Sequence, residues 1–388
     1  MTEPGKQLTL IEAACLVAGI GVGGAIMAVP YLASLNGAGP LLALLAVAYG
    51  ASAVLHLMIV EIVSRDGRGR QLVELFDTYV FRGPAGKALT WAFFALLVAG
   101  LTTNLAAYIA GGGDLIGSVS GLPPRAGHFA MYALAAGVVF FGLKTIGMSE
   151  TAGVAGIGAV LVALLVAALA RGPAPVPLFT GGGPARALAL YGMVMFSFAC
   201  FWAVPQSVQG LSHNPRLIPR AVLLGIGINL VFVLALSVTA MMASPRVEPV
   251  ALQGIGRALG PWARWLGSVF GLLAMLTSYW SVSYAMTVIL QERLGWSYRP
   301  AWICATLPSL VLAVTGVSGF LGFLEITAGA LGVMLAVLVA PTLRACRREK
   351  PLAPGGFSLG RLGGPAFQIL VVVAYILMAI GAMWPAGK

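Results

Sequence analysis

Apolar runs long enough to cross a lipid bilayer recur along almost the whole chain, and charge is nearly absent from them. A membrane-spanning helix needs about 20 apolar residues. Eleven such segments can be drawn, at 9–34, 37–63, 88–118, 127–143, 146–170, 187–211, 217–242, 264–291, 299–316, 319–343 and 364–384. Each is continuous rather than alternating with period two, which excludes a β-barrel. Only 9% of the residues are charged, against about 25% in an average soluble domain. So little charge cannot cover a water-facing surface, and a chain that is 59% hydrophobic is not disordered either. The 51 glycines follow no triplet period, which excludes collagen. In an apolar chain they point to close helix packing and broken helices. The sequence predicts an all-α polytopic membrane protein with eleven transmembrane helices.

The net charge of +11 raises the question of nucleic acid. Its placement answers it. With the N-terminus inside, 16 of the 23 basic residues fall in cytoplasmic loops and 7 outside. That is the asymmetry that orients a membrane protein, so the charge is topology and no nucleic-acid partner is expected. Eleven spans then put the C-terminus outside. Cys15, Cys200, Cys304 and Cys346 sit within or at the edge of apolar runs with no CxxC spacing, and read as small hydrophobes rather than disulfides or zinc ligands. No signal-peptide cleavage site is evident after the acidic N-terminus. Residues 64–87 and 246–263 carry short amphipathic stretches expected at the inner and outer faces. The basic, Pro/Gly-rich loop before the last span reads as a linker.

Span 1 contains GIGVGGAIMAVPYLASLNG and span 6 contains FSFACFWAVPQSVQGLSHNP. Both carry Ala-Val-Pro, as Ala28-Val29-Pro30 and Ala203-Val204-Pro205, and both run on to an asparagine, Asn36 and Asn214. The triplets lie five spans apart, so the two copies cross the membrane in opposite directions. Glycines weaken the first as a helix, and the F-x-F-x-C run with Trp202 and Pro205 weakens the second. A broken helix exposes N–H and C=O groups that lipid cannot satisfy. Paired breaks at matching positions of inverted repeats mark secondary transporters, with the site near the midplane. Packing through glycines is the plainer alternative.

These stretches, together with Tyr108-Ile109 before Gly111-Gly112-Gly113 and the APTLRA that closes span 10, resemble the amino acid/auxin permease (AAAP) group of the amino acid–polyamine–organocation superfamily. The likeness is nearest to its bacterial tryptophan/tyrosine permeases and neutral amino-acid transporters. It implies the five-plus-five inverted-repeat fold of the bacterial leucine transporter with an extra C-terminal helix: a first repeat over 1–186, a second over 187–345, and a linker with span 11 over 346–388. It also implies a plasma-membrane protein, in a bacterium the inner membrane. Thr277-Ser278 in span 8 resembles the sodium-binding pair of sodium-coupled neurotransmitter-type symporters. Glu325 in EITAGALGV resembles their acidic gate, although the gate's arginine partner in span 1 is missing. Glu61 matches a family carboxylate near the break in span 6; its alternative is an interfacial carboxylate paired with Arg65.

An amino acid carries a carboxylate and an ammonium. Free N–H groups at a broken helix suit the first, which points to Gly21, Gly23 and Gly24. Free carbonyls suit the ammonium or Na⁺, which points to Ser197, Phe198 and Ala199. Tyr108, Phe198, Phe201 and Trp202 are candidates to bound an apolar pocket, with core packing as the alternative, and Asn104 is either a substrate contact or helix glue. The coupling ion is Na⁺ or H⁺, with no other cofactor. Thr277 and Ser278 are the Na⁺ candidates unless their hydroxyls bond back along their own helix. Among titratable groups, Glu61, His56 and Glu325 stand out. Gly316-Val317-Ser318-Gly319 has the GxSG pattern of intramembrane serine proteases, but no histidine follows it to serve as base. HExxH, P-loop and Rossmann patterns are absent, so an enzyme is not expected. The expected function is an ion-coupled symporter of neutral, large apolar or aromatic, L-amino acids. A channel, or an amino-acid sensor on a transporter fold, is the alternative.

Overall fold

The computed structural model describes residues 7–23, 25–244, 246–319, 330–352 and 356–383. Among these residues it holds fifteen α-helices and no strand. In chain order they are α1 (Leu10–Gly21), α2 (Ala25–Asn36), α3 (Ala38–Asp66), α4 (Leu72–Tyr79), α5 (Gly86–Ser120), α6 (Pro124–Phe140), α7 (Leu143–Ala170), α8 (Gly183–Ser197), α9 (Ala203–Gly210), α10 (Ile218–Ala243), α11 (Ala251–Leu259), α12 (Pro261–Leu294), α13 (Tyr298–Thr315), α14 (Ala330–Glu349) and α15 (Pro365–Ala382). Six of them, α3, α5, α7, α10, α12 and α15, are long and apolar enough to cross a membrane singly, and α1 with α2 makes a seventh if the pair, bent by 63°, is one span. The chain is therefore a multi-pass membrane protein.

Burial separates centre from periphery. In α12, 89% of the most apolar stretch is buried, against 33% in α15. Around α12 pack α1, α5, α7, α11 and α13, while α3, α8 and α10 carry α2 on the other side. The outward faces of α6, α7 and α15 are apolar as well: Phe129, Leu134, Val162, Val166, Ile369 and Leu370 are all exposed. An apolar exterior of this extent is what a lipid solvent requires, because no hydrophobic gain comes from hiding it.

Small residues let backbones touch. A Cβ on Gly192 of α8 would lie 2.3 Å from the Ala382 nitrogen of α15, and one on Gly381 would lie 2.2 Å from the Leu188 carbonyl oxygen. The last helix is thus docked backbone to backbone on α8. Gly37 joins α2 to α3 at φ +97°, and a Cβ there would meet the Leu178 carbonyl at 2.5 Å. Only glycine fits both demands. The segment between α7 and α8 lies across this junction, with Ala38 N–H donating to the Pro177 carbonyl and Gly39 N–H to that of Leu178 at 2.9 Å each.

α1 starts with a capping box, in which Thr9 Oγ accepts from Glu12 N–H and Glu12 accepts from Thr9 N–H. Lys144 at the start of α7 donates to both Glu12 oxygens at 2.7 Å. At the same end, where α3, α12 and α14 finish, a plate of ion pairs is closed by the amphipathic α4: Arg293 with Glu74 at 2.8 Å, Arg70 with Asp66, and Arg82 with Glu349 at 2.7 Å. The amphipathic helix expected within 64–87 is α4, and that expected within 246–263 is α11, packed on α2, α10 and α12.

Candidate functional site

Both interruptions expected from the sequence are present. α1 stops at Gly21 and α2 starts at Ala25. α8 stops at Ser197 and α9 starts at Ala203, and the bonds of the last α8 turn tighten to three-residue spacing, from Phe198 N–H to the Met195 carbonyl and from Ala199 N–H to that of Phe196. The two Ala-Val-Pro triplets both fall in the second half of their pair but not at the same point. Ala203-Val204-Pro205 opens α9, where a proline loses no needed N–H, whereas Pro30 sits inside α2.

The two breaks touch. A Cβ on Gly21 would lie 2.4 Å from the Ser197 carbonyl oxygen and 1.8 Å from Asn229 Nδ2 of α10. Asn229 in turn donates to Cys200 Sγ at 3.3 Å. Gly23 lies on the α5 side: a Cβ there would meet Ser278 Oγ at 2.8 Å and the Tyr108 hydroxyl at 3.1 Å. Asn104 is one turn before Tyr108 on α5, and both are buried. Thus Gly21, Gly23, Tyr108, Ser197 and Ser278 share one cluster. Gly24 and Glu325 lie outside the described residues.

The rings expected to bound a pocket stand around the α8–α9 break. Phe198 is fully buried with its edge on Tyr49, at 6.5 Å between centroids. Phe201 lies 5.2 Å from Trp202 and 6.3 Å from the ring of His56. His56 Nδ1 donates to the Ser52 carbonyl at 2.6 Å, and its Nε2 has no partner among the described residues. Gln206 ties α9 to α12 by donating to the Ser281 carbonyl at 2.8 Å.

On α12 the hydroxyls divide. Ser278 donates across to the Gly19 carbonyl at 2.9 Å and lies 3.3 Å from that of Ile20. Thr277 lies 3.3 Å from the Gly19 carbonyl and 3.2 Å from that of Ala274 on its own helix. The back-bonding alternative thus holds in part for Thr277 and not for Ser278. The last carbonyls of a helix lack partners within it and carry the negative end of its dipole, so these hydroxyls sit at an electronegative point.

One functional candidate escaped the sequence reading. Glu150 of α7 is fully buried. It accepts from Ser281 Oγ at 2.6 Å, and its other oxygen faces Gly19, where a Cβ would stand 2.0 Å away. The sequence signal was present, a lone carboxylate in MSETAGVAGIGAV, but its depth was not. Asn229 and Ser281 were missed as well, and Cys200 was read only as a buried hydrophobe, because their partners lie on other helices. Glu61, by contrast, is not brought to this cluster. Its carboxylate takes Arg65 at 2.8 Å, Arg347 at 2.7 Å and the Leu359 N–H at 2.9 Å, so its interfacial alternative describes its surroundings. Asp114 is largely exposed and pairs with His128 at 3.3 Å.

Solved structures match the whole architecture. The crystal structure of MhsT in complex with L-phenylalanine superposes with a TM-score of 0.69 at 16% identity, over 97% of this chain and 99% of that one. Mhp1, a nucleobase-cation-symport-1 family transporter in a closed conformation with bromovinylhydantoin bound, superposes with a TM-score of 0.65 at 15% identity, over 99% of this chain and 93% of that one. At such identities the likeness establishes the fold, that of the leucine transporter. No curated protein matches the sequence. The sequence profile of the tryptophan/tyrosine permease family does, over residues 6–382, and the chain belongs to that family.

Proposed function

We propose that this permease is a secondary active symporter of neutral L-amino acids, large apolar or aromatic ones, held between two broken helices and moved by alternating access. Membership in a permease family makes it a transporter rather than an enzyme, and an amino-acid permease at that. The observation that carries the finer reading is the meeting of the breaks, with Gly21 against the Ser197 carbonyl. N–H groups at the start of α2, around Gly21, Gly23 and Gly24, take the substrate carboxylate. Carbonyls of Ser197, Phe198 and Ala199 take its ammonium. Tyr108, Phe198, Phe201 and Trp202 bound the side chain, and Asn104 orients Tyr108. Na⁺ is the coupling ion, on Thr277, Ser278 and the carbonyls of Gly19 and Ile20. Glu325 is the gate carboxylate.

The wider arrangement belongs to the same reading: eleven spans, inverted repeats over 1–186 and 187–345, a linker and last helix over 346–388, an inner-membrane location and a cytoplasmic N-terminus. Uptake into proteoliposomes, with a panel of amino acids and with Na⁺ and pH gradients imposed separately, is the test. Aromatic and large apolar amino acids are expected to accumulate under the Na⁺ gradient alone. Accumulation under the pH gradient alone shifts coupling to H⁺, and gradient-independent flux through a conducting pore favours a channel.

A further inference from the structure

Asn229 stands between the two broken helices with half of its amide unused. It lies near the middle of the 26-residue α10, fully buried, and no charged residue follows Arg220 on that helix. α10 packs along α1 and touches α8 and α9, the two pieces of the other broken helix. The amide sits hard against Gly21: a Cβ there would come within 1.8 Å of Nδ2, 2.7 Å of Cγ and 2.4 Å of the Ser197 carbonyl oxygen. Nδ2 donates to Cys200 Sγ at 3.3 Å, and Oδ1 has no partner among the described residues. An amide oxygen left dry and unpaired costs free energy that a leucine of similar size would avoid. The donors nearest to it in the chain are committed elsewhere. Ser197 Oγ donates to the Val194 carbonyl at 2.7 Å, Ala199 N–H to that of Phe196 at 3.1 Å and Cys200 N–H to that of Phe198 at 2.8 Å. The Ser197 carbonyl, as the last of α8, has no partner within its helix. Two acceptors, one from the backbone and one from a side chain, thus meet at Gly21.

We propose that Asn229 Oδ1 accepts from the substrate ammonium beside the Ser197 carbonyl, and so reads the α-amino group of the amino acid. A primary ammonium is all donor, with N–H bonds to spare for more than one oxygen. Gly21, without a side chain, lets the end of α8 and the amide of α10 approach the same point. A carboxylic acid that lacks the amino group offers Oδ1 nothing and leaves it buried and unpaired, which is how a polar site rejects an analogue missing one group. The inference rests on the reading of the breaks as the amino-acid site and adds to it a contact from α10.

The test is isothermal titration calorimetry of the purified full-length protein with L-tryptophan, with tryptamine, which lacks the carboxylate, and with indole-3-propionate, which lacks the amino group. Asn229→Leu and Asn229→Asp are compared with the unaltered protein. Asn229→Leu is expected to weaken L-tryptophan about tenfold or more, the scale of a hydrogen bond to a charged group, and indole-3-propionate by less than about threefold. Asn229→Asp keeps the shape and adds a negative charge. It is expected to tighten tryptamine and weaken indole-3-propionate, opposite shifts that a role in packing alone does not produce, and it keeps the test readable if the leucine variant does not fold. Where indole-3-propionate binds too weakly to titrate, the direction of the tryptamine shift decides. Equal losses of L-tryptophan and indole-3-propionate in Asn229→Leu, or a weakened tryptamine in Asn229→Asp, overturn the role of Asn229 and leave the site between the breaks standing. No L-tryptophan binding by the unaltered protein overturns both.

Discussion

Two carboxylates of this protein are equally buried and differently treated. Glu61, near the end of α3, receives two arginines and a backbone N–H. Glu150, in the middle of the bundle, receives one serine hydroxyl. A carboxylate whose lone pairs are met by fixed donors is part of the architecture: it ties α3 to α14 and to the segment before α15, and nothing is gained by moving it. A carboxylate left short of donors stores an electrostatic demand that something mobile can meet. Burial alone, then, does not mark function in a membrane protein; the number of partners does.

The largest break in this comparison comes at the plate. Arg347→Ala strips Glu61 of the partner that reaches it from α14, and leaves a fully buried charge with Arg65 as its remaining cation, beside the Leu359 N–H. A destabilisation of about 3 kcal/mol is expected, read as a fall in Tm of the detergent-purified protein, with Glu61→Gln in the same background restoring part of it. An unchanged Tm would mean that the plate is decoration. Next comes the centre. Gly19→Ala puts a methyl group where Glu150 Oε2 sits, 2.0 Å from the new Cβ. The carboxylate must turn away and the Thr277 Cβ is crowded at 3.0 Å, so amino-acid binding is expected to be lost, with Tm read beside it. Gly50→Ala, where no atom lies within 4 Å, is the control and should leave both unchanged.

Phe198→Ala probes the wall between the two regions. Removing a buried ring edge-on to Tyr49 is expected to change the ranking of amino acids in a competition assay, favouring larger side chains. If all amino acids lose affinity equally, Phe198 serves packing alone. The smallest effect is expected from Ser281→Ala, which deletes the one donor to Glu150 among the described residues at a cost of about 2 kcal/mol. Thermal melts of the detergent-purified protein, set beside those of Arg347→Ala, sharpen the comparison.

Much of the fold was legible before any coordinates. Long apolar runs fixed the class, because lipid leaves few alternatives. The two breaks were legible because glycine clusters and proline are poor material for a continuous helix. Ser278 was legible by its position beside Thr277. Glu150 was not, since a helix beginning at Leu143 rather than a few residues later sets its depth, and sequence gives helix starts only within a few residues. Glu61 was legible in part, through Arg65 four residues on. Its sequence position resembles that of a transport carboxylate, but its environment is made by Arg347 and Leu359, 286 and 298 residues away along the chain. Asn229 reaches Cys200 and Gly21 at the two breaks only because α10 packs beside α1 and α9, a fact of packing that no local pattern records.

The clasp at the beginning of α1 has a mechanical consequence. Lys144 holds Glu12, and Glu150 abuts Gly19, so two of the polar side chains of α7 fasten α1 at points about 10 Å apart along their axes at 1.5 Å of rise per residue. A single point of attachment makes a pivot, and two make a splint. The lower fastening is an ion pair, Lys144 with both oxygens of Glu12. Whatever draws Glu150 toward or away from the end of α1 therefore stiffens or loosens the splint at that end, while Ser278 on the Gly19 carbonyl and packing on α10 and α12 keep α1 seated.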